Sequence, residues 1–181
     1  MHYLSLILGL TAAASAIDVR IHFKADCTGA SYECLGLQPN ICCYAESGVY
    51  PTIGFYGVPP SWNIETRGYS RSGDNRCGNQ RALENLSGGN FKCLRQGSFT
   101  GAGYGFRGKK RDVGGCDAEG EAEGQTCTSS RKADVLVLED GVKYSLQGME
   151  DKMIGELVGL AVNGTTGGDV PEVFQEFEMR E

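Results

Sequence analysis

Histidine is almost absent from this chain of 181 residues. Only His2 and His22 are present, and the sequence has no C-x-x-C pair. A zinc site needs paired cysteines of that kind or nearby histidines, so we predict no metal and no cofactor. The G-x-S-x-G and H-E-x-x-H motifs of hydrolases and metalloproteases are missing as well. These absences argue against a known class of catalytic centre.

Long apolar runs are also missing. The longest, Tyr3–Leu10, is far shorter than the roughly 20 residues that a membrane-spanning helix needs. Small residues follow it at Ala14, Ser15 and Ala16, which is the layout of a secretory signal peptide. The acidic C-terminal tail carries no lipid-anchor signal. We therefore predict that residues 1–16 are removed, that the mature chain begins at Ile17, and that the protein is extracellular without a transmembrane segment.

The eight cysteines all lie after the signal peptide. In an oxidising compartment an even number of cysteines predicts a disulfide framework, although the sequence leaves the pairing open. Two of them are adjacent and should join different partners, because a bridge between neighbours would strain the disulfide. The predicted disulfide cysteines are Cys27, Cys34, Cys42, Cys43, Cys77, Cys93, Cys116 and Cys127.

The sequence contains two N-x-S/T motifs that are relevant in a secreted protein. They begin at Asn85 and Asn163. Each is an acceptor for N-glycosylation in the secretory pathway. We therefore predict that the protein is a glycoprotein at one or both positions.

Charge divides the mature chain into two parts. Residues 17–111 hold twelve basic and seven acidic side chains, whereas residues 112–181 hold five basic and sixteen acidic ones. Six cysteines lie in the first part and two in the second. We predict a basic, six-cysteine β domain at 17–111 and an acidic C-terminal portion at 112–181 that packs on it. Such asymmetry indicates mutual contact or separate partners.

The boundary between the two parts falls in a glycine-rich stretch, Gly105–Cys127, which contains Lys109, Lys110 and Arg111. Exposed flexible segments are preferred sites of proteolysis, so cleavage after Arg111 is one interpretation. A solvated basic turn is the other. In either case we expect an exposed connection whose acidic side lies against the basic patch before it.

The repeated patterns predict a mainly β fold. Residues 17–26 alternate apolar and polar side chains, as a half-buried strand does. Shorter strands are predicted at 31–37, 61–69 and 90–96, separated by turn residues. We expect a compact, disulfide-rich, Greek-key-like sandwich.

The C-terminal part contains a hairpin and a helix. Apolar, β-branched runs flank Asp140-Gly141, a pair favoured in type I′ turns. Methionines and leucines then recur at helical spacing, and Asn163-Gly164 should end the helix. The residues at this spacing are Met149, Met153, Leu157 and Leu160.

His22 is the one candidate for acid–base chemistry. The alternation of the first strand puts it on the polar face, so we expect an exposed residue without a catalytic role. The alternative is a small secreted hydrolase or ribonuclease in which His22 acts with Glu33 and Arg20, since such chemistry needs a second titratable group within hydrogen-bond reach. We expect the His22→Ala variant to keep its biological activity.

Binding has better support than catalysis. Arginine and lysine alternate with aromatic residues across the first part, and this combination supplies flat contact area and charge-assisted hydrogen bonds. The partner would be an acidic protein, a glycan or a lipid headgroup. Nucleic acid is disfavoured by the net charge of −6. The predicted binding residues are Arg67, Arg71, Arg76, Lys109, Lys110 and Arg111.

Two resemblances accompany these predictions. The stretch Ile21–Cys34, with an aromatic strand, a turn at Gly29 and an aromatic-Glu-Cys strand, is similar to the opening hairpin of βγ-crystallin Greek-key motifs. Signal peptide, length and cysteine density resemble those of small cysteine-rich effector and toxin-like proteins secreted by filamentous fungi. The second resemblance implies a non-enzymatic virulence-type protein that binds a target outside the producing cell.

Overall fold

The computed structural model describes residues 16–107 and 129–180. The predicted signal peptide lies outside the described residues, apart from Ala16. So do Lys109, Lys110, Arg111 and the cysteines at 116 and 127. Within the two described ranges, no helix has the length and apolar character required to cross a bilayer.

Most of the described chain is β-strand. The first group of strands is β1 Ile17–His22, β2 Ser31–Leu37, β3 Ile41–Tyr44, β4 Thr52–Tyr56, β5 Asn63–Ser72 and β6 Asn75–Ser87. The second group is β7 Phe91–Leu94, β8 Gly101–Phe106, β9 Ser129–Lys132, β10 Val135–Val137 and β11 Lys143–Ser145. Helix α1, Asp151–Val162, follows, and two short 3₁₀ helices complete the chain at Gly167–Asp169 and Glu172–Phe177.

The strands form two sheets. The first sheet has the order β11-β10-β2-β1-β4-β7, and the second has the order β6-β5-β8-β3-β9. All pairs are antiparallel except β3 with β9, which run parallel. The same arrangement occurs twice. β1 lies between β2 and β4 while β3 joins the second sheet, and β5 lies between β6 and β8 while β7 joins the first sheet. The predicted mainly β, disulfide-rich sandwich is confirmed.

The core lies between the two sheets. Ile17, Val19 and Ile21 are buried, as the alternation of β1 predicted. Their neighbours in the core come from both sheets and form one continuous apolar cluster. Because a strand sends alternate residues to opposite faces, the remaining residues of β1 lie on the outer face of the first sheet.

The C-terminal hairpin is confirmed, but its turn differs from the prediction. Val135 pairs with Ser145 and Val137 with Lys143. The backbone N–H of Gly141 donates to the carbonyl of Leu138, and Gly141 has φ 90°. A type I′ turn would also need a positive φ at residue 140, which is not found. The loop therefore has three residues and uses glycine in the left-handed region at its last position.

Helix α1 ends where the sequence predicted. Gly164 N–H donates to the carbonyl of Ala161, and Thr165 N–H donates to that of Leu160. These two bonds form a Schellman motif, which satisfies carbonyls that have no partner inside the helix. Leu157 and Ala161 are the buried residues of α1, so the helix adds one apolar face to the core.

Within residues 16–107 and 129–180, three disulfides connect the elements. Cys34 bonds to Cys43, Cys42 to Cys77 and Cys27 to Cys93. The prediction that the two adjacent cysteines join different partners is confirmed. Because all six cysteines before residue 111 pair with one another, none of them remains to bond with either cysteine of the acidic part.

We predict that the Cys27–Cys93 disulfide contributes most to stability through the unfolded chain, because it closes the longest loop, with a sequence separation of 66. The chain-entropy relation gives about 4 kcal/mol for such a loop. The double variant Cys27→Ser/Cys93→Ser should lose about this much free energy of unfolding in urea titrations. Peptide mapping must show the other two disulfides intact in the same sample. A loss below about 1 kcal/mol would contradict the prediction.

Candidate functional site

The predicted basic residues divide into buried and exposed ones. Arg67 is only 2% exposed and forms an ion pair with Glu65 on the same strand. Its Nη1 also donates to the side-chain oxygen of Asn40 at 3.2 Å. Arg67 is therefore part of the interior and does not contribute its charge to an exposed patch. Arg71 and Arg76, in contrast, lie together at the surface around a cavity.

The tip of the β5–β6 hairpin positions both arginines. Ser72 pairs with Asn75, so Gly73 and Asp74 form a two-residue loop. Gly73 has φ 58°, the left-handed conformation that the first central position of a type II′ turn requires. Just beyond the tip, the Cys42–Cys77 disulfide holds the start of β6 against β3. The hairpin tip is thus a short turn anchored by a covalent bond.

The cavity between this tip and the neighbouring strands has a volume of about 490 Å³. Its neutral side chains are Tyr44 from β3, Asn75 from β6 and Ser130 from β9. Ser130 reaches the site because β9 runs beside β3, with Ser130 opposite Cys42. The charged side chains of the lining are Glu46, Arg71, Asp74 and Arg76.

Most of the charge around the cavity is neutralised in pairs. Arg71 Nη2 lies 3.1 Å from a carboxylate oxygen of Asp74. Glu46 is paired with Lys132, at the end of β9. The ion pairs of the described residues do not include Arg76. The lining thus carries two acidic and two basic side chains, and among them Arg76 is the cation without a carboxylate partner in the described residues.

Arg76 is held in place by its own backbone and by one hydrogen bond. Its Nε donates to the carbonyl of Ala45 at 2.8 Å, and its carbonyl accepts a bond from the Thr100 hydroxyl. Its Nη2 is buried and has no hydrogen-bond partner among the described residues. A buried donor without an acceptor costs about 1–3 kcal/mol, and the charge of this guanidinium is left without a carboxylate among the described residues. The arrangement is suited to binding an anionic group.

The sequence indicated part of this site. Arg71 and Arg76 were predicted as binding residues, and the Gly73-Asp74 pair between strands is itself a turn signal. Tyr44, Glu46 and Ser130 were missed. They join the cavity through the parallel pairing of β3 with β9, which connects residues more than eighty positions apart and leaves no local pattern.

The outer face of the first sheet corrects the prediction for His22. This side chain was expected to be exposed, but it is 1% exposed. Its Nε2 lies 2.9 Å from the Tyr56 hydroxyl, which donates in turn to the carbonyl of Cys27. Because the tyrosine donates its own hydrogen to that carbonyl, the histidine is the donor in the first contact.

The loop between β1 and β2 covers this face. The Thr52 hydroxyl donates to the carbonyl of Lys24 at 2.6 Å and accepts from the N–H of Cys27. Lys24 also forms an ion pair of 2.5 Å with Glu139, and Cys27 is bonded to Cys93 on β7. These contacts hold the loop across the sheet, which is why the alternation of β1 did not predict the exposure of His22.

The structure brings Arg20 and Glu33 together but gives the carboxylate a different partner from His22. Glu33 is fully buried, and one of its oxygens accepts from Arg20 Nε at 2.7 Å. Its other oxygen lies 3.1 Å from Lys143 Nζ. Among the hydrogen bonds of the described residues, none joins His22 to Glu33. The acid–base pair that the enzyme alternative requires is therefore not formed in this arrangement.

Burial changes the protonation of His22. Removal from water, with a smaller contribution from the guanidinium of Arg20, lowers the pKa of His22 from 6.5 to about 4. The peptide groups of Thr28 and Gly29 and the carboxylate of Asp26 act in the opposite direction but do not outweigh burial. His22 is therefore neutral in the folded protein at physiological pH.

We predict that His22 makes the fold sensitive to acid. The pKa of His22 is lower in the folded than in the unfolded protein, so acid favours unfolding. The contribution of neutral His22 to the free energy of unfolding is complete above about pH 6.5 and is lost as the pH falls to about 4. The loss should be about 3 kcal/mol. Urea unfolding of the wild type and of His22→Gln, measured at pH 7, 5.5 and 4, isolates this contribution from that of the carboxylates. Equal pH dependence in the two proteins would contradict the prediction.

Both predicted glycosylation acceptors lie at the surface. Asn85 is exposed on β6, at the edge of the second sheet. Asn163 is exposed at the C-terminal end of α1. Carbohydrate at both positions remains a prediction.

Comparisons with known proteins agree on secretion. A protein of Arthroderma benhamiae, called an uncharacterized secreted protein, is 28% identical over 176 residues, which cover 95% of this chain and 90% of the relative. No solved structure matches the chain, and the crystallin resemblance finds no support in these comparisons. The relative, the signal-peptide layout and the disulfides together identify the protein as secreted.

Two family models match consecutive parts of the chain. The model of the ARB_05566 N-terminal domain matches residues 18–134, and the model of the C-terminal domain matches residues 139–181. The first covers strands β1 to β9, and the second covers β11, helix α1 and the two 3₁₀ helices. The chain therefore belongs to the ARB_05566 family.

Proposed function

We propose that this secreted protein is a non-enzymatic binding protein of the effector or toxin-like kind, and that the cavity beside Arg76 binds an anionic group of an extracellular partner. The observation that carries the proposal is the side chain of Arg76. It has no carboxylate partner among the described residues, and its buried Nη2 has no acceptor. An anion from a partner would compensate its charge.

The framework around the cavity supports this role. Disulfide Cys42–Cys77 connects β3 and β6, two of the strands that supply the lining. A site with fixed walls loses little conformational entropy when a ligand binds. The net charge of −6 repels anionic partners at long range, so binding should depend on the local contact at Arg76 and only weakly on overall attraction.

We expect Arg76→Ala to weaken binding to a carboxylated surface at least tenfold. The measurement is surface plasmon resonance of the full secreted chain on carboxymethyl dextran, at 50 and 150 mM NaCl. Binding should decrease with salt, because screening weakens charge contacts. Arg81→Ala is the matched control, since Arg81 is an exposed arginine on the same strand outside the cavity. Equal loss in both variants would show a general charge effect and contradict the proposal.

We also propose that the chain is processed after Arg111. The pairing of all six preceding cysteines with one another supports this. The strands after the cut would remain attached through β3–β9 and β2–β10 pairing. We therefore expect cleaved protein to elute as one particle in native gel filtration and to separate into two chains on a non-reducing denaturing gel.

N-terminal sequencing of the secreted product tests the cut directly. A second terminus at Asp112, in addition to that at Ile17, is the expected result. A single terminus would make the processing proposal wrong. A cleaved product held together on the non-reducing gel would instead contradict the separation of the disulfides into two groups.

A further inference from the structure

We infer that the loop between β1 and β2, residues 23–30, is a flap that opens in acid while the two sheets remain folded. This loop lies on the outer face of the first sheet and is separate from the proposed anion site. Opening would expose the polar face around His22 in acidic surroundings and cover it again at neutral pH. Three features support such a flap: the shallow contact of the loop, the side chains that hold it, and the buried histidine beneath it.

The loop covers the sheet but adds little to the core. Within 24–29, Cys27 is buried and Gly29 is half-buried, and the other residues are exposed. Segments with few buried apolar contacts open at a lower free energy than the whole protein unfolds. The disulfide between Cys27 and Cys93 would keep an open loop attached to β7, so the opening does not require the sheet to separate.

Two side chains of β4 hold the loop. The Thr52 hydroxyl donates to the carbonyl of Lys24 at 2.6 Å and accepts from the N–H of Cys27. The Tyr56 hydroxyl donates to the carbonyl of Cys27 at 3.1 Å and accepts from His22 Nε2 at 2.9 Å. His22 therefore belongs to the network that fixes Cys27, and a change in its charge acts directly on the loop.

A positive charge on His22 is disfavoured while the loop is closed. The side chain is 1% exposed, and its Nδ1 has no hydrogen-bond partner among the described residues. Arg20 lies two positions earlier, on the same face of β1. Burial, together with this nearby guanidinium, lowers the pKa of His22 to about 4. Protonation therefore favours the state in which water reaches the ring.

The other charged and titratable groups around the histidine do not reverse this direction. Glu33 on β2 is already paired with Arg20 and with Lys143 of β11, so this cluster has one more cation than anion. Asp26 in the loop favours the protonated histidine but is outweighed by burial. Burial raises the pKa of Tyr56, so this residue stays neutral in acid.

One carboxylate also holds the loop from the turn between β10 and β11. Glu139 accepts from Lys24 Nζ at 2.5 Å and from the N–H of Ala30 at 3.4 Å. Because carboxylates also take up protons in acid, the experiment must separate Glu139 from His22.

Hydrogen exchange of single amides, measured by NMR on the full secreted chain, tests the flap. The N–H of Cys27, bonded to Thr52, reports on the loop. The N–H of Thr100, bonded to the carbonyl of Tyr69 at 2.8 Å, reports on the second sheet. With a pKa of about 4 in the closed and about 6.5 in the open state, the opening constant should rise about 20-fold between pH 7 and pH 5.

After correction for the intrinsic exchange rates, the protection of Cys27 should fall by this factor and remain at least about tenfold below that of Thr100. Low urea should accelerate the exchange of Thr100 but not that of Cys27, because the response to urea follows the surface exposed. Equal protection and equal urea dependence of the two amides would show that the opening is global and overturn the inference. Protection of Cys27 that is the same at pH 7 and pH 5 would also overturn it.

Two variants assign the proton. His22→Gln can still donate to the Tyr56 hydroxyl but takes up no proton, so the protection of Cys27 should no longer depend on pH over this range. Glu139→Gln is the matched control and should keep the 20-fold change, starting from a lower protection. The opposite result, with the change kept in His22→Gln and lost in Glu139→Gln, would contradict the role of His22. Thermal melting verifies that each variant is folded, and the comparison of the two wild-type amides needs neither variant.

Discussion

The structure depends on the opposite directions in which two adjacent cysteines point. In a strand, consecutive side chains lie on opposite faces. Cys43 therefore reaches across the core to Cys34 in the other sheet, whereas Cys42 bonds on the outer side to Cys77. A single point of β3 thus fastens the two sheets together and fixes the hairpin that carries the cavity. Arg76 directly precedes Cys77, the partner of Cys42. One peptide unit therefore links the candidate binding residue to the disulfide framework.

A second constraint acts on the far side of the first sheet. There the loop after β1 covers polar side chains that a simple sandwich would expose. Glu33 is buried between Arg20 and Lys143. An isolated buried carboxylate would be strongly destabilising, so the two cations are needed to keep it there. The same arrangement joins β1, β2 and β11 and explains why this face is structural in spite of its charged residues.

Local sequence patterns predicted the elements better than their surroundings. β2 begins and ends at the predicted residues, and α1 ends at the predicted Asn163-Gly164 pair. These features depend on alternation and on turn residues close in sequence. The exposure of His22 could not be predicted, because contacts with Tyr56 and with the loop at Cys27 decide it. The predicted turn type at Gly141 was wrong because the loop has three residues instead of two. One added residue changes the turn type but leaves the pattern of the strands unchanged.

For the candidate site, too, local sequence predicted some residues and long-range contacts determined the others. The basic, aromatic-rich sequence was enough to predict Arg71 and Arg76 as binding residues. It predicted Arg67 on the same grounds, but Arg67 is buried in an ion pair. Charge alone does not distinguish an interior arginine from a surface one. The neutral lining depends on strands brought together across long stretches of chain, and such pairing is a property of the whole topology.

The three disulfides also differ in the order in which they can form. Their sequence separations are 9, 35 and 66 residues, and short loops close with less loss of entropy than long ones. The Cys34–Cys43 bond can therefore form while the chain is still being translocated. Its neighbour Cys42 is a competing partner at nearly the same distance, and a bond between Cys34 and Cys42 would turn β3 to the wrong face. Oxidative folding of this chain thus has one early choice between adjacent thiols, and later disulfides can form correctly only after that choice has been made or reversed by exchange.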